Sequence, residues 1–313
     1  MSELREATEQ YLAVRRSLGF QLRQPEATLR TFVAFAQEQG ADYITVDLML
    51  RWAKTLGTVQ ASTRADWLAM VRRFALWRST ADSRTEVPPE NLMPARYRRK
   101  APYIYKDEEV ERLVRTAEEL PSPAGLRGLT YSTFFGLIAV TGMRISEALA
   151  LDRDDIDLEH GVLTIRQTKF GQSRLVPIHS STIIALQRYA QRRDLLLPRT
   201  ATPAFFLAER GTRITQWSAR YNFAKVSQRI DLRTPTRGYG RGPRVHDLRH
   251  RFAVRTLIDW YRAGLDVERE IPKLATFLGH AHVNDTYWYL EAVPELLQLA
   301  TDRLRDRSLE ELP

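Results

Sequence analysis

The sequence contains no cysteine. That absence removes disulfides, thiolate metal sites and thiol nucleophiles, and it fits an intracellular location. Lysine is scarce too: of 47 basic side chains only six are lysine, and the rest are arginine. No apolar run approaches the roughly 20 residues that span a bilayer. The opening residues, MSELREATEQ, hold no apolar signal core. Internal repeats and low-complexity segments are missing as well.

What is present points to a globular protein that meets a polyanion. A length of 313 residues favours two domains. Hydrophobic residues make up 43% of the chain, enough for real cores. The net charge is +9 and rests almost wholly on arginine, whose planar fork bonds phosphate in pairs. The long amphipathic face of a membrane-surface protein is lacking.

Residues 1–80 read as four helices. Leu4, Ala7, Tyr11, Val14 and Leu18 recur at helical spacing before Gly19. Pro25 opens a second helix with Leu29, Phe32, Val33 and Ala36 on one face and Gly40 after it. Thr45 is placed to cap a third, carrying Leu48, Trp52 and Leu56, and a fourth carries Trp67, Leu68, Val71, Phe74 and Ala75. Arg15, Arg16, Arg64, Arg72, Arg73 and Arg78 offer either a phosphate-facing surface or a solvated one. Residues 81–103 then break the pattern with Pro88, Pro89, Pro94 and Pro102 and the cluster Arg96, Arg98, Arg99 and Lys100. This reads as a stiff basic linker, lying across a DNA backbone or serving as a solubilising hinge.

A second unit starts near Ile104, with helical patterns over 110–120 and 129–140. Around 152–178 the period changes, and GVLTIRQ and SRLVPI form a hairpin turning near Gly171. From Ser181 onward nearly everything reads as helix.

Four stretches carry chemistry. In TGMRISEAL (141–149), Gly142 makes a turn and a helix starts near Arg144. An arginine there is unfavourable unless an anion is close. Glu147, three residues on, orients the guanidinium or forms a plain surface pair with it. In RVHDLRHR (244–251), His246, Arg249 and His250 share one helical face, after the glycine-rich basic loop RGYGRGPR. The His246–His250 spacing is also that of a zinc pair. However, Asp247 replaces the glutamate of the metalloprotease pattern, and Arg249 would repel a cation. A structural histidine pair is the milder reading. Lys169 sits at the hairpin tip, solvated unless a phosphate leaving group lies beneath it. In TFLGHAHVNDTYWYL (276–290), a short helix beginning at Pro272 stops at Gly279, and Asn284 or Asp285 caps another. On a helix Tyr287 and Tyr289 point about 200° apart, so only one faces a given site.

In this order, TGMRISEAL, the hairpin lysine, HDLRH, LGH and a tyrosine nine residues past that histidine resemble the tyrosine recombinase (phage integrase) family over 104–290. The N-terminal unit is similar to the family's core-binding domain only in length and pattern. The resemblance implies a mainly α fold with a small antiparallel β-sheet in a two-domain architecture. Its parts would be a helical core-binding domain (1–82), a basic linker (83–103), a catalytic domain (104–292) and a tail helix (293–313). That tail packs on its own domain or docks on a neighbouring protomer.

The same resemblance implies the roles. Tyr289 is the nucleophile, forming a 3′-phosphotyrosine with no metal, ATP or other cofactor. Arg144 and Arg249 hold the phosphate oxygens, with Glu147 as partner of Arg144. Lys169 is the general acid, His246 takes the tyrosine proton, and His280 hydrogen-bonds the phosphate. Tyr287 and His282 have no assigned role, and Tyr287 and Trp288 are left to packing. DNA contacts are expected from Arg72, Arg73, Arg96, Arg98, Arg99, Lys100, Arg237, Arg241 and Arg244.

The implied partner is double-stranded DNA with inverted-repeat sites. A tetramer of this chain, or one shared with sister recombinases, would assemble on it in the cytoplasm at the nucleoid, away from membranes. Two departures stand out. LIDWYRAGLDVEREIPKLATF is longer than its counterpart in common short integrases and resembles some transposon-borne members, which links the chain to transposition. Arg251 stands where many relatives have a small polar residue. A type IB-like topoisomerase, relaxing supercoils without a second site, and a non-catalytic DNA-binding regulator are the alternatives.

Affinity for duplex DNA is expected to rest on arginine–phosphate contacts. With on the order of 6–10 phosphates neutralised, filter-binding affinity falls roughly 10³–10⁵-fold between about 50 and 200 mM salt. A flat salt dependence would reject the electrostatic clamp.

Overall fold

In the computed structural model of the chain, the described residues are 3–90, 92–93, 101–166, 173–235 and 242–310, the side chains of 291–292 and 303–310 excepted. The chain divides into two compact units, Met1–Lys100 and Ala101–Pro313.

The first unit consists of α1 (Glu3–Ser17), α2 (Arg23–Glu38), α3 (Val46–Thr55) and α4 (Ala61–Arg78). Their apolar faces meet in one core, with Phe32 edge-on to Trp52 at 5.4 Å and Tyr11 between Phe74 and Trp77. The α1 stripe is Leu4, Ala7, Tyr11 and Leu12. Val14 and Leu18 are exposed, because the last turn runs past the packed core. Helix α2 begins two residues before Pro25, after Leu22 in a left-handed conformation. The proline therefore sits inside the first turn, where a missing N–H costs little.

Thr45 Oγ1 accepts the Leu48 N–H at 3.1 Å and caps α3. Glu86 adds a second cap from farther along the chain. Its Oε2 accepts the Val46 N–H at 2.7 Å, and its own N–H reaches Ile44 O at 2.8 Å. Arg72 Nε donates to Pro88 O at 2.8 Å. The opening residues of the stretch read as linker thus pack on the helical unit, with Asp82, Thr85 and Pro88 buried.

The second unit is built around α6 (Arg127–Thr141), which is apolar on nearly every face and buries Phe134, Phe135, Leu137 and Ile138. Packed on it are α5 (Asp107–Glu118), α8 (Ser180–Leu196), α9 (Gln216–Arg229) and α10 (Val245–Arg262). Beside α7 (Ile145–Ala150) lies an antiparallel sheet of β1 (Ile156–Asp157), β2 (Val162–Ile165) and β3 (Arg174–Pro177) in that order. Leu163 pairs with Val176, and both are fully buried. Strand β1 has only two residues, too few to show a period of two.

A second core in this unit joins α10 to α11 (Val267–Leu278), α12 (Asn284–Ala292) and α13 (Pro294–Glu310). Helix α11 starts five residues before Pro272, where Asp266 accepts the Arg269 N–H at 3.4 Å. Pro272 lies inside the helix and has no N–H for the Glu268 carbonyl, so α11 runs on without that bond. Neither Asn284 nor Asp285 caps α12, because Val283 is already helical and the chain flows into the helix. Helix α13 starts on its own unit: Leu296 is fully buried, and Glu295 pairs with Arg262 at 3.0 Å. Among the described residues no helix is long and apolar enough to cross a membrane.

Helix α6 ends at Gly142, whose φ of +60° is left-handed. A Cβ there would meet Phe252 Cδ1 at 2.5 Å and Leu278 Cδ2 at 3.0 Å. Gly142→Ala is therefore expected to destabilise the protein by about 1–3 kcal/mol, read as a lower urea midpoint. An unchanged midpoint would show that α10 and α11 give way at this junction.

Candidate active site

The site forms at the C-terminal end of α11. The last carbonyls of a helix have no partner inside it and carry the negative end of its dipole. Gly279, at φ +67°, turns the chain left-handed there. Three arginines from distant parts of the unit bond to these carbonyls. Arg174 Nε donates to Phe277 O at 2.8 Å. Arg249 donates to Leu278 O at 2.8 Å and to Gly142 O at 2.8 Å. Arg144 donates to Gly279 O at 2.8 Å. Each guanidinium has five N–H donors, so Arg144 and Arg249 retain donors beyond these bonds.

Glu147 supplies the opposite charge. Its carboxylate takes Arg144 Nη1 at 2.8 Å and Arg174 Nη2 at 2.8 Å, and it accepts the Arg144 backbone N–H at 2.9 Å. The last bond caps α7 and fixes where Arg144 begins. Burial works to raise the Glu147 carboxyl, but bonds and charge from Arg174 and Arg144 outweigh it and hold it below its usual value. Arg249 is 2% exposed. Burial first, then the Arg144 charge, brings its guanidinium down to about 10, still charged at neutral pH. Helix α10 repeats the α7 device, with the Arg244 N–H bonded to buried Asp247 at 2.7 Å.

Geometry separates the two tyrosines as helical spacing requires. Tyr289 is 2% exposed and Tyr287 is 38% exposed. The Tyr289 hydroxyl lies 3.2 Å from His250 Nδ1, and its ring packs against His250, Trp288 and His280. His280 Nδ1 meets the hydroxyl of fully buried Thr286 at 2.7 Å. His246 lies one helical turn before His250, their rings 4.7 Å apart. Desolvation of its ring, then the Arg249 charge, pushes the His246 imidazole down to about 4 against the opposing pull of Asp247, although the residue is exposed.

The structure thus gathers Arg144, Glu147, His246, Arg249, His280 and Tyr289. Lys169, Arg96, Arg98, Arg99, Lys100, Arg237 and Arg241 lie outside the described residues. Arg72 is engaged by Pro88 and by Glu90 at 3.4 Å, whereas Arg73 is exposed. The Arg244 guanidinium is held by Asp247 at 3.1 Å and remains largely exposed. His282 is exposed. Trp288 packs as expected, but Tyr287 points outward, opposite Tyr289. Arg251 donates to Tyr105 O at 3.1 Å and pairs with Asp107, fastening α10 to the start of α5. Among the described residues no three histidine, aspartate or glutamate side chains are gathered as metal ligands.

Sequence reasoning missed three members of the cluster. Arg174 opens a short strand, where an arginine reads as outward-facing. His250 was visible on the His246–Arg249 face without a partner to give it meaning. Nothing near Thr286 signals that it is buried.

The phage integrase family model matches residues 104–295. The chain belongs to the phage integrase family. An inferred integrase/recombinase of Sinorhizobium fredii, y4rB, is 43% identical over 98% of this chain and 98% of its own length. Among solved structures, the XerH site-specific recombinase on a palindromic difH substrate, a post-cleavage complex, has a TM-score of 0.63 at 20% identity, covering 88% of this chain and 77% of that one. A lambda integrase tetramer bound to a Holliday junction has a TM-score of 0.59 at 16% identity, covering 89% of this chain and 77% of that one. The mainly helical fold with its small antiparallel sheet is therefore that of the tyrosine recombinases, and the chain is an enzyme of that family.

Glu147→Gln leaves the half-buried Arg144 and Arg174 without a counter-charge and is expected to cost about 3 kcal/mol at pH 7. The folded-state pKa of Glu147 is depressed, so its contribution is present above the unfolded value of about 4.3 and lost as pH falls through the folded value. Urea midpoints of the two proteins should therefore converge in acid. A gap that persists at every pH would show that shape, and not charge, is what the carboxylate supplies.

Proposed function

We propose that this recombinase cuts and rejoins duplex DNA by two successive transesterifications, with Tyr289 as nucleophile. One observation carries the reading: Tyr289, and not Tyr287, is buried, with its hydroxyl on His250, the residue that follows Arg249. The tyrosine oxygen attacks a backbone phosphorus, and the bond to the 5′-oxygen breaks. The products are a 3′-phosphotyrosine and a free 5′-hydroxyl. A 5′-hydroxyl from a second duplex then attacks the phosphotyrosine. The covalent link conserves the energy of the phosphodiester, so the scheme uses neither ATP nor metal.

Arg144 and Arg249 bind the non-bridging oxygens, where negative charge grows, and the α11 carbonyls hold both forks in place beforehand. Losing one such donor costs roughly 3 kcal/mol, on the order of a hundredfold in rate. His280 and neutral His246 add hydrogen bonds to the phosphate, and Lys169 protonates the departing 5′-oxygen. Glu147 and Arg174 act through Arg144 as positioning residues. Arg73, Arg244 and the basic residues at 96–100 and 237–241 are assigned further phosphate contacts.

Exchange between two duplexes requires four protomers on inverted-repeat sites, and the tetrameric lambda integrase neighbour supports that assembly. Helix α13 is the element proposed to reach a neighbouring protomer beyond its anchored first turn. The helical part of the first unit is assigned to DNA clamping. The work is done where the DNA is, at the nucleoid.

On a nicked duplex carrying the cleaved site, Tyr289→Phe is expected to abolish the covalent adduct and Tyr287→Phe to retain it, as read on denaturing gels. Two-site recombination run beside plasmid relaxation separates strand exchange from simple relaxation. An adduct formed by Tyr289→Phe would overturn the assignment.

A further inference from the structure

We propose that His250 is the catalytic base that receives the phenolic proton of Tyr289 during strand cleavage. This rests on the reading of Tyr289 as nucleophile. His250 Nδ1 lies 3.2 Å from the Tyr289 hydroxyl, within reach of the proton that must leave. The ring is held by its neighbours: it stands edge-on to Trp288 at 5.5 Å, to Tyr289 at 5.5 Å and to His246 at 4.7 Å. It also follows Arg249 directly, so one helix sets both the phosphate-binding fork and the base.

The other histidines fit the task less well. His280 Nδ1 is engaged by Thr286. No hydrogen bond links His246 to the Tyr289 hydroxyl among the described residues, and desolvation and the Arg249 charge, only partly offset by Asp247, weaken it as a proton acceptor. That leaves His246 suited to donating a hydrogen bond as a neutral imidazole.

The proton balance closes. His250 starts neutral with its hydrogen on Nε2 and a lone pair on Nδ1. As the Tyr289 oxygen bonds to phosphorus, its O–H bond breaks and the proton passes to Nδ1. The bond from phosphorus to the 5′-oxygen breaks, and that oxygen takes a proton from Lys169. In rejoining, the incoming 5′-hydroxyl returns its proton to Lys169, and His250 returns its own to the departing phenolate.

The test uses the full chain in single-turnover cleavage of a nicked duplex that the wild-type protein cuts. His250→Phe keeps an aromatic ring but accepts no proton, and it is expected to slow adduct formation on the order of 10²-fold or more. DNA affinity should be unchanged. His250→Gln, which accepts a hydrogen bond without being a base, should show a similar loss and serves if the phenylalanine variant melts early. A fluorinated tyrosine at position 289, whose phenol is more acidic, separates base from scaffold. It is expected to restore most of the rate in the His250 variants while changing the parent little.

A loss that fluorotyrosine does not rescue would overturn the proposal by making His250 a structural support. Cleavage by His250→Phe at or above the parent rate would also overturn it, showing the bond to be a latch on the nucleophile. Failure of the nucleophile reading itself is distinguishable, since it appears as an adduct in Tyr289→Phe.

Discussion

Three guanidiniums bonded to the last carbonyls of one helix are the interaction on which the rest of the site depends. Arg144, Arg174 and Arg249 come from the start of α7, from β3 and from α10, and they meet only because α11 ends there. Bringing three positive charges together is unfavourable by itself, and the pressure is visible in Arg249, whose guanidinium is brought down to about 10 by burial and by Arg144. The negative end of the helix and the single carboxylate of Glu147 offset part of this repulsion. Positive charge remains in excess, which suits the phosphodiester of the proposed reaction.

The Tyr289 side of the site is organised by packing. Tyr289 belongs to the core shared by α10, α11, α12 and α13, so its ring is placed by apolar neighbours. Polar partners then refine the position: His250 on the hydroxyl, and Thr286 holding His280 beside the ring. The arginine cluster and the aromatic cluster share α10, which carries Arg249 and His250 as adjacent residues. Displacement of that helix moves both clusters together.

Much of this was legible in the sequence. The four N-terminal helices followed from apolar spacing and from the Thr45 cap, and the hairpin followed from the change of period around 152–178. The order of the short motifs exposed the Arg144, Arg249 and Tyr289 positions, and helical geometry required the two tyrosines to face opposite ways. What stayed hidden depended on contacts between residues far apart in the chain. Arg174 gains its meaning from Phe277 and Glu147, more than a hundred and some twenty-odd positions away respectively. The Glu86 cap on α3 reaches back 40 residues, which local propensity does not encode. The start of α11 and the cap of α12 were misplaced for a related reason. Pro272 looks like a start and Asn284 or Asp285 like a cap by local rule, whereas α11 extends backward to Val267 and α12 begins at Asn284 without a side-chain cap.

Arg251 and its neighbours have a mechanical consequence. Tyr105 donates to Arg244 O at 3.3 Å, Arg251 bonds Tyr105 O, and Asp107 is gripped by both Arg251 and Arg255. The point where the chain enters the second unit is thus bolted at both ends of one stretch to the helix that carries His246, Arg249 and His250. A change in the path of residues 105–107 therefore bears directly on α10, and so on the placement of Arg249 and His250.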